Sequence, residues 1–222
     1  DVIAMNDTLQ PNNQGAPSPT SAPNSPLPST VDASSTKSLI IYTIVALSLA
    51  FFIRFFIAAP YVVSGASMIP TFYDYHYLII DRVTYGFEEP QRGDVIVLDL
   101  PQDTSRALIK RVIGLPGETV SLEGTKVMIV NAAYPKGFEL QESYLDPNNL
   151  GGPTDMKVTL GPDQFFVLGD NRKVSADSRS WGVLPRQDIV GRALLRLFPF
   201  NQISILPGTV HFDDSSITKN NS

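Results

Sequence analysis

One apolar run near the start of the chain constrains the fold more than any other feature. Residues 38–53 carry no charged side chain, and after Arg54 the run resumes and continues to Ala59. The 22 positions of 38–59 match the roughly 20 residues that a helix needs to cross a bilayer. The arginine lies near one end, where its side chain can reach the lipid interface. We therefore predict a single transmembrane helix over 37–59; a buried core helix and a cleaved signal peptide are the alternatives.

The residues before this run have the composition of a disordered segment. Residues 1–36 hold six Pro, six Ser and four Asn, and they contain no Lys or Arg. Such a segment cannot bury enough apolar surface to offset the entropy lost on ordering. We therefore predict a disordered tail over 1–36.

Short runs rich in β-branched and aromatic residues dominate residues 60–222. HYLIIDRV, DVIVLDL and QFFVLGD are examples, and turn segments such as EPQRGD and LPGE separate them. Short strands at this spacing are typical of a barrel or a sandwich. The polar, irregular stretch 133–156 interrupts the pattern, and we interpret it as a small inserted subdomain. The predicted fold class is mainly β, with a transmembrane helix at its N-terminal side.

Composition excludes several classes of function. The chain has no Cys, which rules out disulfides, thiolate metal ligands and a cysteine nucleophile. Its two His residues, His76 and His211, are too few for a histidine-rich metal site, and neither has the context of a Ser-His-Asp triad. A net charge of −5 lacks the basic excess typical of nucleic-acid-binding proteins. We therefore expect no metal site and no nucleic-acid partner.

A serine can also be activated by a lysine that is kept neutral by burial. If LIKRV is a strand, Lys110 shares a face with Leu108 and Val112, so its amine is a candidate for a lowered pKa. The alternative is an edge-strand lysine whose amine reaches water. Ser67 lies in SGASMIPT, where Gly65 permits a tight bend. The alternative there is an ordinary turn with two serines.

A third group of polar residues follows the apolar strand QFFVL, in GDNRKVSADSRSWG. Asp and Asn side chains in such a loop cap backbone amides, and Asp177 can pair with Arg179. A structural turn network is therefore the simplest interpretation of this loop.

Four segments together resemble a known family. SGASMIPT, RGDVIVLDLP, IKRVIGLPGETV and GDNRKVSADSRSWGVLP occur in this order behind the apolar run. They are similar to the type I signal peptidases, membrane-bound serine proteases that remove signal peptides from exported proteins. The resemblance covers roughly residues 38–205. It implies a signal-peptidase-like β barrel or sandwich and peptide hydrolysis without a metal or cofactor.

The resemblance also implies roles for individual residues. Ser67 would be the nucleophile, Lys110 its general base, and the Ser175 hydroxyl would help to orient the lysine. One departure is that some family members carry an oxyanion-assisting serine where this chain has Gly65. Residues expected to support the site are Gly169, Asp170, Asn171 and the ion pair of Asp177 and Arg179.

Substrate and location follow from the same resemblance. The partners would be signal peptides of exported preproteins and the lipid bilayer. The expected location is a single-pass protein of the bacterial plasma membrane, with its catalytic domain on the outer face. For each proposed pocket residue the alternative is ordinary core packing. Shallow apolar pockets for small substrate residues would be lined by Tyr61, Val63, Met68, Phe72, Leu78, Leu108 and Ile109.

Two other functions remain open on the sequence alone. The chain could be a different Ser/Lys protease, such as a self-cleaving repressor, although those carry a DNA-binding domain. It could instead be a non-catalytic, membrane-anchored β domain that binds a partner. Distance separates these hypotheses, because a dyad requires the Ser67 hydroxyl within hydrogen-bond reach of the Lys110 amine.

Overall fold

The computed structural model describes residues 33–52, 58–152, 154–212 and 217–219. The predicted disordered tail falls mostly outside these residues, as does Arg54. The chain divides into two compact units, residues 1–45 and residues 46–222. The second unit contains the whole β structure and every candidate site residue.

The apolar run forms a helix with different bounds from those predicted. Helix α1 spans Ala33–Phe52, and its side chains from residue 36 onward are exposed. Over the described part of the chain, no helix has both the length and the apolar character needed to cross a membrane. The prediction of a helix over 37–59 was wrong at its end, because Ala58 and Ala59 pair with a neighbouring strand.

The rest of the described chain is mainly β, as the sequence predicted. A short helix, α2, spans Ser178–Trp181. Single 3₁₀ turns lie at Thr84–Gly86, Pro147–Asn149, Arg186–Asp188 and Phe200–Gln202. The strands are β1 Ala58–Val62, β2 Tyr77–Asp81, β3 Val95–Leu100, β4 Asp103–Gly114, β5 Thr119–Gly124, β6 Lys126–Val130, β7 Phe138–Leu140, β8 Thr154–Thr159, β9 Gln164–Leu168, β10 Leu184–Pro185, β11 Ile189–Phe198, β12 Ser204–Ile205 and β13 Ile217–Lys219.

The strands form two antiparallel sheets. The larger has the order β1-β2-β11-β3-β4-β9-β10, with β12 also paired to β11. The smaller has the order β13-β7-β6-β5-β8. Within the described residues no pairing joins β1 to β10, so the larger sheet has two ends and a closed barrel is not confirmed.

The stretch 133–156 is not a separate insertion. It contributes β7 and the start of β8 to the smaller sheet, which already begins with β5 at Thr119. Phe138 and Leu140 of this stretch are buried in the same cluster as Ile113 of β4. The predicted subdomain boundary was therefore too narrow, because its polar residues lie at the surface of a sheet whose apolar side chains face a shared core.

Two further apolar clusters position the site. One joins β2, β3 and the segment after β1, and it contains the fully buried Met68 and Phe72. The other joins β3, β4 and β9 through residues such as Ile96, Val112 and Val167. Strand β4 lies between β3 and β9, so both of its neighbours hold it in place. Packing therefore links β4 to the segment after β1, because Ile109 of β4 packs against the cluster that contains Met68 and Phe72.

Residues 206–212, near the end of the described chain, pack against the segment just before β3 and against β4. Val210 donates a backbone hydrogen bond to Gly93, and a side chain at Gly93 would meet the Val210 carbonyl oxygen at 1.9 Å. The Gly208 carbonyl accepts a hydrogen bond from Arg111 of β4. The absence of a side chain at Gly93 thus permits this close approach.

Candidate active site

Ser67 lies on a bend that follows β1. Gly65 adopts a φ of +97°, which a residue with a side chain rarely adopts, and its N–H donates to the carboxylate of Asp74. Beyond the bend the fully buried Met68 anchors the chain in the core. The Ser67 carbonyl accepts a hydrogen bond of 2.9 Å from the N–H of Asn171. The nucleophile candidate is therefore held from both sides.

Lys110 projects from the middle of β4 toward this bend. Its Nζ lies 3.0 Å from Ser67 Oγ and 2.8 Å from the carbonyl oxygen of Ile109. The residue is 2% exposed. Burial lowers the pKa of Lys110 from 10.5 to about 8, while the carboxylates of Asp177 and Asp170 oppose this shift. The amine can thus lose its proton close to neutral pH, as a general base must.

The loop after β9 supports the dyad through Asp177. This carboxylate is fully buried, forms a two-point ion pair with Arg179 at 2.8 Å, and accepts the N–H of Gly169 at 3.0 Å. Its backbone also begins helix α2, where its side chain accepts the N–H of residue 179. The aspartate that raises the Lys110 pKa is therefore largely neutralised by its own arginine.

Gly169 packs tightly against the segment that carries Ser67. A side chain at Gly169 would meet Ser67 O at 2.5 Å and Ser175 Oγ at 2.2 Å. Ser175 Oγ itself is buried and makes no hydrogen bond within the described residues. Within the described residues Ser175 therefore makes no hydrogen bond to the Lys110 amine, whose partners are Ser67 Oγ and the Ile109 carbonyl oxygen.

Asp170 pairs with an arginine that the sequence analysis did not single out. Arg111 is fully buried, and its Nε and Nη2 lie 2.8 Å and 2.6 Å from the two carboxylate oxygens of Asp170. Thr71, four residues after the nucleophile, also donates to Asp170. The pair therefore ties β4, the loop after β9 and the segment after Ser67 together. One sequence signal could have indicated this ion pair: Arg111 directly follows Lys110 in an apolar run predicted as a strand, so its charge needs a buried partner.

A groove of about 110 Å³ lies beside the dyad, between the end of β1 and β4. Five of the seven predicted pocket residues line it. The other two, Met68 and Phe72, are fully buried and do not line it. Four further lining residues, including Ser64 and Ala107, were not predicted from the sequence. The full lining is Tyr61, Val62, Val63, Ser64, Leu78, Val97, Ala107, Leu108 and Ile109.

The arrangement suits nucleophilic hydrolysis. A hydroxyl lies within hydrogen-bond distance of a buried amine with a lowered pKa, next to an apolar groove that can hold an extended peptide. Among the residues that the structure describes, no three acidic or His side chains are grouped so that they could hold a metal ion.

Comparison with known proteins identifies the family. A sequence model described as "Signal peptidase, peptidase S26" matches residues 36–198. A "Probable signal peptidase I-1" of Synechocystis is 42% identical over 79% of this chain and 88% of its own. A "Signal peptidase I" of Leptolyngbya laminosa is 39% identical over 86% of this chain and 94% of its own.

More distant relatives carry the same description. A "Signal peptidase I" of Bacillus amyloliquefaciens is 35% identical over 72% of this chain and 86% of its own. A crystal structure of a signal peptidase I from Enterococcus faecalis is 30% identical, with a TM-score of 0.39 over 47% of this chain and 97% of that one. The resemblance found in the sequence is thus confirmed, and the chain belongs to the signal peptidase family, peptidase S26.

Proposed function

We propose that Ser67 and Lys110 are the catalytic dyad with which this protein, a serine endopeptidase, cleaves signal peptides from exported preproteins. The observation that carries the assignment is the 3.0 Å separation between Lys110 Nζ and Ser67 Oγ, with the lysine 2% exposed. A lysine at a surface edge would instead have a solvated amine. A partner-binding domain without catalysis does not require this pair at all.

The proposed reaction proceeds through an acyl-enzyme. Neutral Lys110 takes the hydroxyl proton of Ser67 while Ser67 Oγ attacks the scissile carbonyl carbon. The tetrahedral intermediate collapses, the C–N bond breaks, and the Lys110 ammonium gives its proton to the leaving amine. Lys110 then deprotonates a water molecule, which attacks the ester carbonyl carbon. The C–O bond to Ser67 breaks, the Lys110 ammonium returns its proton to Ser67 Oγ, and the carboxylic acid product leaves.

The oxyanion of the intermediate needs hydrogen-bond donors. Gly65 has no side chain to offer, and its N–H is already bound to Asp74. We therefore expect the Ser67 N–H to be one donor. Ser64 lines the groove and is a candidate for the second donor. Removing a single oxyanion donor in other serine proteases costs about 3 kcal/mol of transition-state stabilisation.

The decisive experiment is preprotein digestion by the purified full chain and its variants. Ser67→Ala and Lys110→Ala should each lower kcat by roughly 10³-fold or more, since either change removes a group required in the same step. The matched controls are Ser105→Ala and Lys126→Ala. Ser105 lies on the exposed start of β4, and the exposed amine of Lys126 pairs with Glu139. Near-normal cleavage by either dyad variant would refute the assignment.

We also propose that the apolar segment beginning at residue 38 anchors the enzyme in a bacterial plasma membrane, with the β structure on the outer face. Support comes from the uncharged run 38–53 and from the position of Ser67 only fourteen residues after the end of this run, which would keep the dyad near the lipid. Carbonate extraction should leave the full chain in the membrane fraction. External protease should digest the β domain in spheroplasts; release by carbonate or full protection would contradict this proposal.

A further inference from the structure

We propose that Glu142 and Tyr144, in the stretch between β7 and β8, are positioning residues for the catalytic dyad. They contact two buried arginines, Arg111 and Arg172, which support the segments that carry Lys110 and Ser67. This inference rests on the proposed function of Ser67 and Lys110. It assigns a catalytic purpose to a segment that looks like an irregular surface loop in the sequence.

Tyr144 covers the arginine beside the base. The guanidinium carbon of Arg111 lies 4.0 Å from the centroid of the Tyr144 ring, a close cation–π contact. Arg111 directly follows Lys110 in β4 and binds both carboxylate oxygens of Asp170. The ring therefore closes one face of the ion pair that lies next to the dyad. Burial raises the pKa of Tyr144 well above its usual value, so the ring stays neutral.

Glu142 holds the second arginine. Its carboxylate binds both terminal nitrogens of Arg172, and the two side chains are only 7% and 5% exposed. The Tyr144 hydroxyl donates to the same carboxylate at 2.5 Å. Arg172 Nε in turn donates to the carbonyl oxygen of Gly169 at 3.0 Å. Gly169 is the residue that packs against the Ser67 backbone, so the chain of contacts ends at the nucleophile.

The charges around Lys110 give this arrangement a measurable consequence. Asp170 and Asp177 both favour the charged amine, and each is paired, with Arg111 and Arg179 respectively. Opening the Tyr144 face would admit water beside Arg111 in β4 and reduce the desolvation that is the largest cause of the lowered pKa of Lys110. This change favours the ammonium form of Lys110, so the rising limb of the pH–rate profile should move to higher pH.

The test compares Tyr144→Ala with Tyr144→Phe in preprotein cleavage between pH 6 and pH 10. The alanine variant should shift the rising limb of kcat by about half a pH unit or more, and the phenylalanine variant, which keeps the ring, should restore most of the wild-type position. Tyr134→Ala is the matched control, since the Tyr134 ring packs on the ring of Phe138 in β7. It should lower the melting temperature without moving the profile.

Glu142→Gln tests the second contact, and it also serves if the alanine variant does not fold. This isosteric change should lower kcat on the order of tenfold with little change in KM, since Gly169 contacts the nucleophile and not the groove. Wild-type kcat and profile in Glu142→Gln, or an unmoved profile in folded Tyr144→Ala, would overturn the inference. Residual cleavage by Ser67→Ala in the same assay would instead refute the dyad itself.

Discussion

At the scale of single residues, the proposed mechanism makes activity depend on the protonation of one buried amine. Lys110 can act as a base only when neutral, and burial has lowered its pKa to about 8. The rate of cleavage should therefore rise with pH in proportion to the deprotonated fraction, reach half its maximum near pH 8 and approach its plateau about one pH unit higher. Initial rates on a preprotein from pH 5 to pH 9 measure this dependence, and a flat profile over that range would contradict a lysine base.

Asp74 is a second residue whose effect can be isolated. It accepts the Gly65 N–H and so fixes the bend that presents Ser67. Asp74→Ala should lower kcat/KM on the order of tenfold, because the bend gains freedom, while Asp74→Asn keeps an acceptor oxygen and should lose less. Equal kinetics in the wild type and the alanine variant would show that the bend is held without this hydrogen bond.

The sequence predicted some of these residues and not others for physical reasons. Strand alternation placed Lys110 beside Val112, and both are buried. Alternation says nothing about distant chain segments, so the contacts of Arg111 with Asp170 were not foreseen. The resemblance placed Met68 among the groove residues, although its apolar side chain equally favours the core where it lies.

At the scale of elements, the loop after β9 and the bend after β1 fit together without spare room. A methyl group on Gly169 would approach Ser67 O and Ser175 Oγ at 2.5 Å and 2.2 Å. Gly169→Ala should therefore displace the nucleophile and lower kcat by at least about tenfold, with a loss of about 1–3 kcal/mol in stability.

Gly152→Ala is the matched control for that prediction, since a methyl group there meets nothing within 4 Å. Its cleavage kinetics and its melting temperature should match those of the wild type. If Gly169→Ala behaved like Gly152→Ala, the close packing between the loop and the bend would have no part in catalysis.

The sequence predicted long strands better than short ones. Runs such as DVIVLDL and QFFVLGD match β3 and β9, because four apolar residues in a row, rich in β-branched and aromatic side chains, are recognisable. Strands β7 and β10 have three and two residues, too few for any periodicity, and they exist through pairing with neighbours. The helix over 37–59 ended early because Ala58 and Ala59 gain strand partners that hydropathy cannot reveal.

At the scale of the whole molecule, the buried base costs stability. The pKa of Lys110 is about 8 in the folded chain and 10.5 as a free side chain, so the unfolded state binds its proton more tightly. Stability is therefore lowered below pH 8 and recovers as the pH rises toward 10.5. The full difference corresponds to about 3 kcal/mol.

Lys110→Met keeps the volume and removes the charge, so it should unfold less readily than the wild type at pH 7. Its advantage in free energy of unfolding, up to about 3 kcal/mol, should shrink as the pH approaches 10.5. Denaturant titration of both full chains at pH 7 and pH 10 measures this difference. An advantage that is absent at pH 7, or that grows with pH, would mean that the amine is not held in a dry site.

The contacts of residues 206–212 bear on the order in which the fold can form during synthesis. Arg111 binds the Gly208 carbonyl, and Val210 lies against Gly93, so both contacts await a part of the chain that leaves the ribosome after the nucleophile, the base and the loop after β9. A nascent chain that ends before residue 206 therefore cannot form either of these contacts with β4 and Gly93.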